Sequence, residues 1–286
     1  MSNGTLHNTL GTTSKDLRKY LTALFMLAGW LTTPSSWAVE KLTVYTYHDK
    51  PPYFSHKPEP EPEHSHQKQG NNSSEAVTHT HGNELYGAFI EQINSQQAGW
   101  RLELVHLPRK RLDLLLKAKR LNGAVIGVNP SWFKDKSKLR YLWSAEFMHD
   151  TDVVVASKGN VFSYMHPEDL AGKTLALQRG FYYWGITEQV IAGKIEALET
   201  TSDIQNLKLV SIGRVNATIM SGLTLKYFQD HRQIGNQLVA LAEPHDRFTR
   251  HLMFTQHSAQ AYTELVETID SISKSPAWRA QLASFR

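Results

Sequence analysis

Residues Arg101 to Ser157 read RLELVHLPRKRLDLLLKAKRLNGAVIGVNPSWFKDKSKLRYLWSAEFMHDTDVVVAS, and this stretch decides the fold. Leu102, Leu104 and His106 alternate as a strand does, Pro108 breaks the pattern, and a leucine-bearing helix follows. A short apolar run, Gly123 to Val128, then gives way to a loop over 129–140 and a β-branched strand at Val153 to Val155. Strand, helix and buried strand at this spacing predict a βαβ unit in a parallel sheet. Ligands of such sheets collect beyond the strand ends.

Pro108 suits the first position of the helix, which places Arg109, Lys110 and Arg111 in its first turn. The positive end of the helix dipole disfavours cations there. Arg111 either faces an anionic ligand or a carboxylate, or lies solvated with its stem over apolar surface; for Lys110 the solvated reading is preferred.

The order of these parts resembles the family 3 extracytoplasmic solute-binding proteins: strand, helix with Arg111 and a leucine face, buried strand, loop with Trp132 and Lys134, then Trp143-Ser144. The likeness continues through DLAGKTLALQRG (Asp169 to Gly180) and GRVNATIMSG (Gly213 to Gly222), over residues 41–286. It implies an α/β, two-lobed, type II periplasmic binding protein-like fold, each lobe a mostly parallel sheet flanked by helices, with two hinge crossings. It also implies a binding role for ABC importers of amino acids and similar polar solutes.

Residues 1–38 are set aside from the fold. Lys15, Arg18 and Lys19 precede the apolar run Leu21 to Leu31, and Ser36-Trp37-Ala38 puts small residues where a signal peptidase reads. This predicts export to the periplasm with cleavage before Val39; an uncleaved N-terminal anchor is the alternative. The run is short for a membrane span of about 20 residues. There is no cysteine, which removes disulfides, thiolate metal sites and a lipidated anchor. The formal charge of +4 falls to +2 without residues 1–38, so nucleic-acid binding gains no support.

Lobe 1 is expected from residues 39–154 plus 249–286, and lobe 2 from 155–248. Lys41 to Tyr47 reads as the first strand, and Pro51 and Pro52 end it. The resemblance places this turn at the cleft, making Tyr47 and Tyr53 ligand candidates, against a packing role for both. Glu84 to Gln97 reads as a helix. Lys173 to Gln178 reads as a strand ending near Gly180, whose loop offers free N–H groups to an anion. Phe181, Tyr182, Tyr183 and Trp184 follow, of which two are expected at the cleft and two in the core. Ser202-Asp203 opens a helix, Gly213 ends it, and Val215 to Met220 is a strand. Short strands at Gln237 to Leu241 and His251 to Thr255 flank a return crossing, AEPHDRFTR. Helices at Ser258 to Ile272 and Pro276 to Phe285 close the chain.

Candidate ligand residues are Tyr47, Tyr53, Arg111, Asn129, Trp132, Gly180, Tyr182 and Ser221. Three departures from the family pattern bear on the ligand. The arginine that relatives use to clamp an α-carboxylate, expected at or next to Ser137, is absent or displaced, the nearby cations being Lys134, Lys136 and Arg140, and lysine lacks the bidentate fork. Asn216 stands where relatives carry aspartate, and Ser221 replaces the acid that grips an amino group. The double clamp of a free α-amino acid is therefore not expected.

A fourth departure is residues 55–83, rich in Pro and Glu and nearly free of large apolar side chains. Burial cannot offset the cost of ordering such a segment, so a loosely held insertion is expected. His64, His66, His79 and His81 form two His-x-His pairs, each of which points two imidazoles the same way on extended chain. They are candidate ligands for zinc, copper or nickel, against a solvated loop with incidental histidines. No resident cofactor is expected otherwise.

The function expected is a monomeric periplasmic binding protein that traps a small polar solute by hinge closure for an ABC permease. A sensor presenting its closed form to a membrane partner, metal handling through the histidine loop, and an enzyme on the same fold are the alternatives. Hydrolase, zinc-protease and nucleotide-loop motifs are absent from the sequence, and Glu146, His149, Asp150 and Asp152 are read as hinge and surface charges rather than as an acid–base group.

Overall fold

The computed structural model describes Met1 and residues 39–55, 84–231, 234 and 236–285. Val39–Arg286 form one unit, which is the subject below. The histidine pairs at His64, His66, His79 and His81 and the expected signal lie outside the described residues.

Nine strands form a mixed sheet with the order β2-β1-β3-β9-β5-β8-β6-β7, and β4 also pairs with β9. The strands are β1 (Glu40–Thr46), β2 (Trp100–His106), β3 (Ala124–Val128), β4 (Leu142–Trp143), β5 (Met148–Ser157), β6 (Thr174–Gln178), β7 (Glu196–Thr200), β8 (Ala217–Ser221) and β9 (Leu238–Phe254). The helices are α1 (Leu85–Gln96), α2 (Arg109–Lys117), α3 (Ile186–Ile191), α4 (Asp203–Ser211), α5 (Gly222–Asp230), α6 (Ala259–Lys274) and α7 (Pro276–Ala283).

Both ends of the sheet are parallel: β2 and β3 flank β1, and β7 and β8 flank β6. The middle is antiparallel, because β9 pairs with β3 through its C-terminal part and with β5 along the rest. The first half is thus β1 to β4 with the end of β9, and the second is β6 to β8 with its start. Only β5 and β9 run between them, as the two expected crossings. The expected pair of short strands around a return crossing is corrected: β9 is one strand of 17 residues that includes the crossing. Pro244 does not end it, since the register shifts between Asp152 and Val153 of β5 and the irregularity absorbs the proline.

Each half buries both faces of its sheet, as strand alternation dictates. In the first half Leu42, Val44, Ala124 and Ile126 pack with Phe89, Leu265 and Trp278 of α1, α6 and α7. Val125 and Val128 face the other way, onto Leu112 and Leu116 of α2. In the second half Val154, Leu175 and Ile219 meet Ile186, while Val155, Ala176 and Met220 meet Leu207, Val210 and Phe228.

Local signals hold with small shifts. Pro108 caps α2 rather than opening it (φ −52°, ψ 138°), and the Ser275 side chain accepts from Trp278 N at 3.1 Å to start α7. Ser202 precedes α4, and Gly213 beyond its end takes φ +70°. The sequence reading missed β7 and α5. Four of the five β7 residues are at least partly exposed, as befits a sheet edge where alternation is weak.

Candidate functional site

Where β5 leaves the first half, the turn after β1 (Thr46 onward), the start of α1, the end of β3 and the end of β8 converge. Asp150 of β5 pairs with Phe248 of β9, two residue pairs from Arg250, and stands two positions from Asp152, which pairs with Ser221. The Arg250 and Asp150 side chains are 2 % and 1 % exposed. Arg250 donates to Asp150 Oδ2 from Nε at 2.8 Å and from Nη2 at 2.7 Å. Its Nη1 donates to the Gly127 carbonyl at 2.7 Å and to the Tyr86 hydroxyl at 3.2 Å, and lies 3.4 Å from His48 Nε2. The guanidinium sits 4.5 Å from the Tyr53 ring, 5.0 Å from Phe248 and 5.5 Å from Trp132.

Gly127 makes this approach feasible. At φ +80° a Cβ there would fall 2.0 Å from the Tyr86 hydroxyl, so only glycine fits.

The second half joins through Ser221, fully buried at the end of β8. Its Oγ lies 2.6 Å from the Tyr53 hydroxyl and 3.3 Å from Asp150 Oδ1, and Tyr53 donates to Asp150. Lys50 reaches Asp203 of α4 at 3.6 Å, and Phe181 meets the Tyr47 ring at 6.0 Å. Ser221, Asp203 and Phe181 therefore touch the same turn after β1.

Electrostatics follow from burial. Desolvation and then the Asp150 charge push the Tyr53 phenol well up, and desolvation does the same for Tyr86, so both stay protonated donors. Desolvation, with Arg250 and Lys50 nearby, holds His48 well below the usual imidazole range and neutral. Burial works against the Arg250 charge, but Tyr86, Asp150 and Tyr53 outweigh it and hold its pKa above normal. Burial, only partly offset by Lys50, raises Asp152 to about 6.

The structure brings Tyr53 and Trp132 against Arg250, and Ser221 against Tyr53 and Asp150. Tyr47 is buried beside them and carries the Arg109 guanidinium at 4.8 Å. Asn129 holds the loop: its side chain donates to Thr249 O at 2.9 Å and accepts from Ser131 N at 2.9 Å. Gly180 is exposed at φ +82° with nothing near, so its conformation rather than space requires glycine. Of the four aromatics, Phe181 packs against both halves and Tyr183 lies in the second core. Tyr182 and Trp184 are exposed, and Tyr182 bonds Glu188 on its own half. The expected division, two at the cleft and two in the core, is corrected to one and one, because the short turn into α3 cannot direct four consecutive rings inward.

Arg111 is exposed on α2. Arg109 of the same turn points inward instead, between Tyr47 and Phe133 (4.9 Å), and pairs with Asp113 at 3.0 Å, which offsets the dipole penalty. Asn216 pins β8 to β6 by accepting from Thr174 N at 2.8 Å. Asp150, read from sequence as a hinge or surface charge, is a buried hub, and Arg250 was not singled out at all. The one available signal was an arginine at an inward position of a strand otherwise apolar at its end, HLMF.

Among the described residues no group of three or more His, Cys, Asp or Glu is placed to hold a metal ion, and no helix is long and apolar enough to cross a membrane.

No family model and no curated protein matches the chain. Solved structures do. The substrate binding protein of an amino acid ABC transporter is 17% identical over 86% of this chain and 98% of its own, with a TM-score of 0.57. A histidine kinase sensor domain with similarity to periplasmic binding proteins is 17% identical over 86% and 95%, at 0.61. The GluR0 ligand-binding core from Nostoc punctiforme, in complex with L-glutamate, is 12% identical over 85% and 98%, at 0.60. The chain has the α/β fold of the periplasmic binding proteins, two sheet halves joined by two crossing strands.

Proposed function

We propose that this chain is an extracytoplasmic binding protein that takes a small polar solute between its halves and closes on it through β5 and β9. The lobes are residues 39–154 with 249–286, and 155–248. The observation that carries the reading is the meeting of Tyr53, Asp150 and Ser221, from the first half, a crossing strand and the second half, at the strand ends where this fold class takes ligands. Tyr47, Trp132 and Phe181 supply aromatic walls, and Asn129 and the Gly180 turn supply polar groups at the rim. Arg111 and Tyr182, both exposed, are at best outer contacts. The usual grip on a free α-amino acid is not in place: Ser221 has no charge, and the adjacent Asp150 is engaged by Arg250.

Delivery to an ABC permease, export to the periplasm after cleavage before Val39, and a monomeric state belong to the same proposal. The resemblance to the amino acid transporter's binding protein supports the first. A sensor role is the second reading, favoured by the comparable likeness to a kinase sensor domain. Metal uptake by His64, His66, His79 and His81 is a separate proposal, tested by zinc binding to the full chain and to one lacking residues 55–83.

Calorimetry against a panel of polar metabolites tests the main reading. One solute class should bind and be weakened by Trp132→Ala. Finding no binder, with scattering unchanged across the panel, overturns it.

A further inference from the structure

We propose that the space walled by Tyr53, Trp132 and Phe248 over the Asp150 carboxylate is a guanidinium-binding site filled by the chain's own Arg250, an internal ligand that draws the two halves together. The proposal concerns this site alone and stands whichever solute the protein takes.

The shell around Arg250 has the chemistry of ligand recognition rather than of a strand-stabilising contact. Asp150 accepts from two of its nitrogens, the Gly127 carbonyl accepts from the third, and three rings lie within 5.5 Å of its charge. Carboxylate, carbonyl and aromatic faces are the partners that select a planar guanidinium over an ammonium. These partners come from separate segments: the turn after β1, α1, the end of β3 and β5. A buried ion pair by itself does not offset its desolvation, so such a shell is needed for the charge to remain.

Backbone irregularity points the same way. The β3–β9 register shifts between Ile126 and Val128, leaving Gly127 out of the regular ladder, and its carbonyl accepts from Arg250 Nη1 instead. The Asp150 carboxylate divides its oxygens: Oδ2 takes Arg250, while Oδ1 takes Thr151 N at 2.8 Å and faces Ser221 of the second half. Tyr53 completes the circuit, its ring against the guanidinium and its hydroxyl between Asp150 and Ser221. Filling the site therefore positions the groups that join the halves.

Arg250→Ala leaves Cβ and removes what N-ethylguanidinium would restore. The melting temperature and the radius of gyration of the full chain are measured for the natural protein, Arg250→Ala and Arg250→Lys. Each is studied alone, with millimolar N-ethylguanidinium, and with ethylammonium as the charge control. Both variants should melt earlier and scatter as larger particles. N-ethylguanidinium should raise melting saturably and restore compactness in Arg250→Ala, ethylammonium should do neither, and the natural protein should respond to neither. A folded Arg250→Ala that is as compact as the natural chain, or that responds equally to both cations, overturns the proposal. Should that variant unfold, refolding only with N-ethylguanidinium supports it, and failure to refold with it overturns it. Tyr53→Phe with Ser221→Ala keeps Arg250 and Asp150 but removes the hydroxyl bonds that tie Tyr53 and Asp150 to Ser221, and an unchanged radius there also overturns the joining role.

Discussion

The facing edges of the two halves are built differently. In the first half the polar groups are consumed by one another: His48, Tyr53, Tyr86 and Gly127 all serve Arg250 or Asp150. In the second half Asp203 Oδ2, Asn206 Nδ2 and Thr224 Oγ1 are buried without a hydrogen-bond partner among the described residues, and Asp203 Oδ2 lies 3.6 Å from Lys50. Buried polar groups normally find partners. The contrast teaches that the first edge is preassembled, its buried polar groups already paired, while the second leaves buried polar atoms of α4 and α5 unpaired.

The largest effect should come from breaking the preassembled edge. Asp150→Ala strands the Arg250 charge in a buried site, a change that costs about 3–5 kcal/mol in comparable cases. Urea unfolding measures it, and a loss below about 1 kcal/mol would show that water already reaches the pair.

The two crossing strands carry two titrations of opposite sign, His245 on β9 and Asp152 on β5. Burial lowers His245 from 6.5 to about 4, so its contribution is intact above pH 6.5 and is lost as pH falls towards 4. Burial raises Asp152 from 3.8 to about 6, so its contribution is intact below pH 3.8 and is lost as pH rises through 6. Each shift corresponds to about 3 kcal/mol. His245→Gln should therefore flatten the acid loss, and Asp152→Asn should raise stability near neutrality but not in acid. Melting temperature followed across pH decides both; parallel curves for variant and natural protein would contradict the assignments.

A smaller effect separates two neighbours on α2. Arg109→Ala loses two ring contacts and the Asp113 pair, about 1 kcal/mol, whereas exposed Arg111→Ala should stay within about 0.5 kcal/mol. Equal losses in denaturant would mean that Arg111 has a partner of its own. The smallest effect sharpens the open edge. Thr224→Val removes a buried hydroxyl that lacks a partner, so stability should hold or rise slightly. A clear drop would show that the second edge is as satisfied as the first.

What was legible in the chain is what short-range physics dictates. Alternation identified β1 and β2, a continuous apolar run identified β3, the leucine spacing identified α2, and Ser202, Gly213 and Ser275-Pro276 marked helix ends within a residue or two. These patterns report burial against a neighbouring layer and the needs of free helix-end groups, both of which are local. Their order sufficed for the fold. The family resemblance named Tyr53, Trp132 and Ser221 as candidates, and the structure places Tyr53 and Trp132 against Arg250 and Ser221 against Tyr53.

Arg250 and Asp150 were not legible as partners, because the one local hint, the apolar strand end HLMF beside Arg250, does not say what the arginine meets. They are 100 residues apart and become partners only when β9 returns beside β5. The continuity of β9 through Pro244 depends likewise on a register shift in its neighbour. Which of Arg109 and Arg111 turns inward is a matter of helix phase against Tyr47 and Phe133, two rings from other elements. Local pattern determines which residues lie in strands and helices; long-range pairing determines which polar groups are desolvated together, and the chemistry of the site follows from that second step.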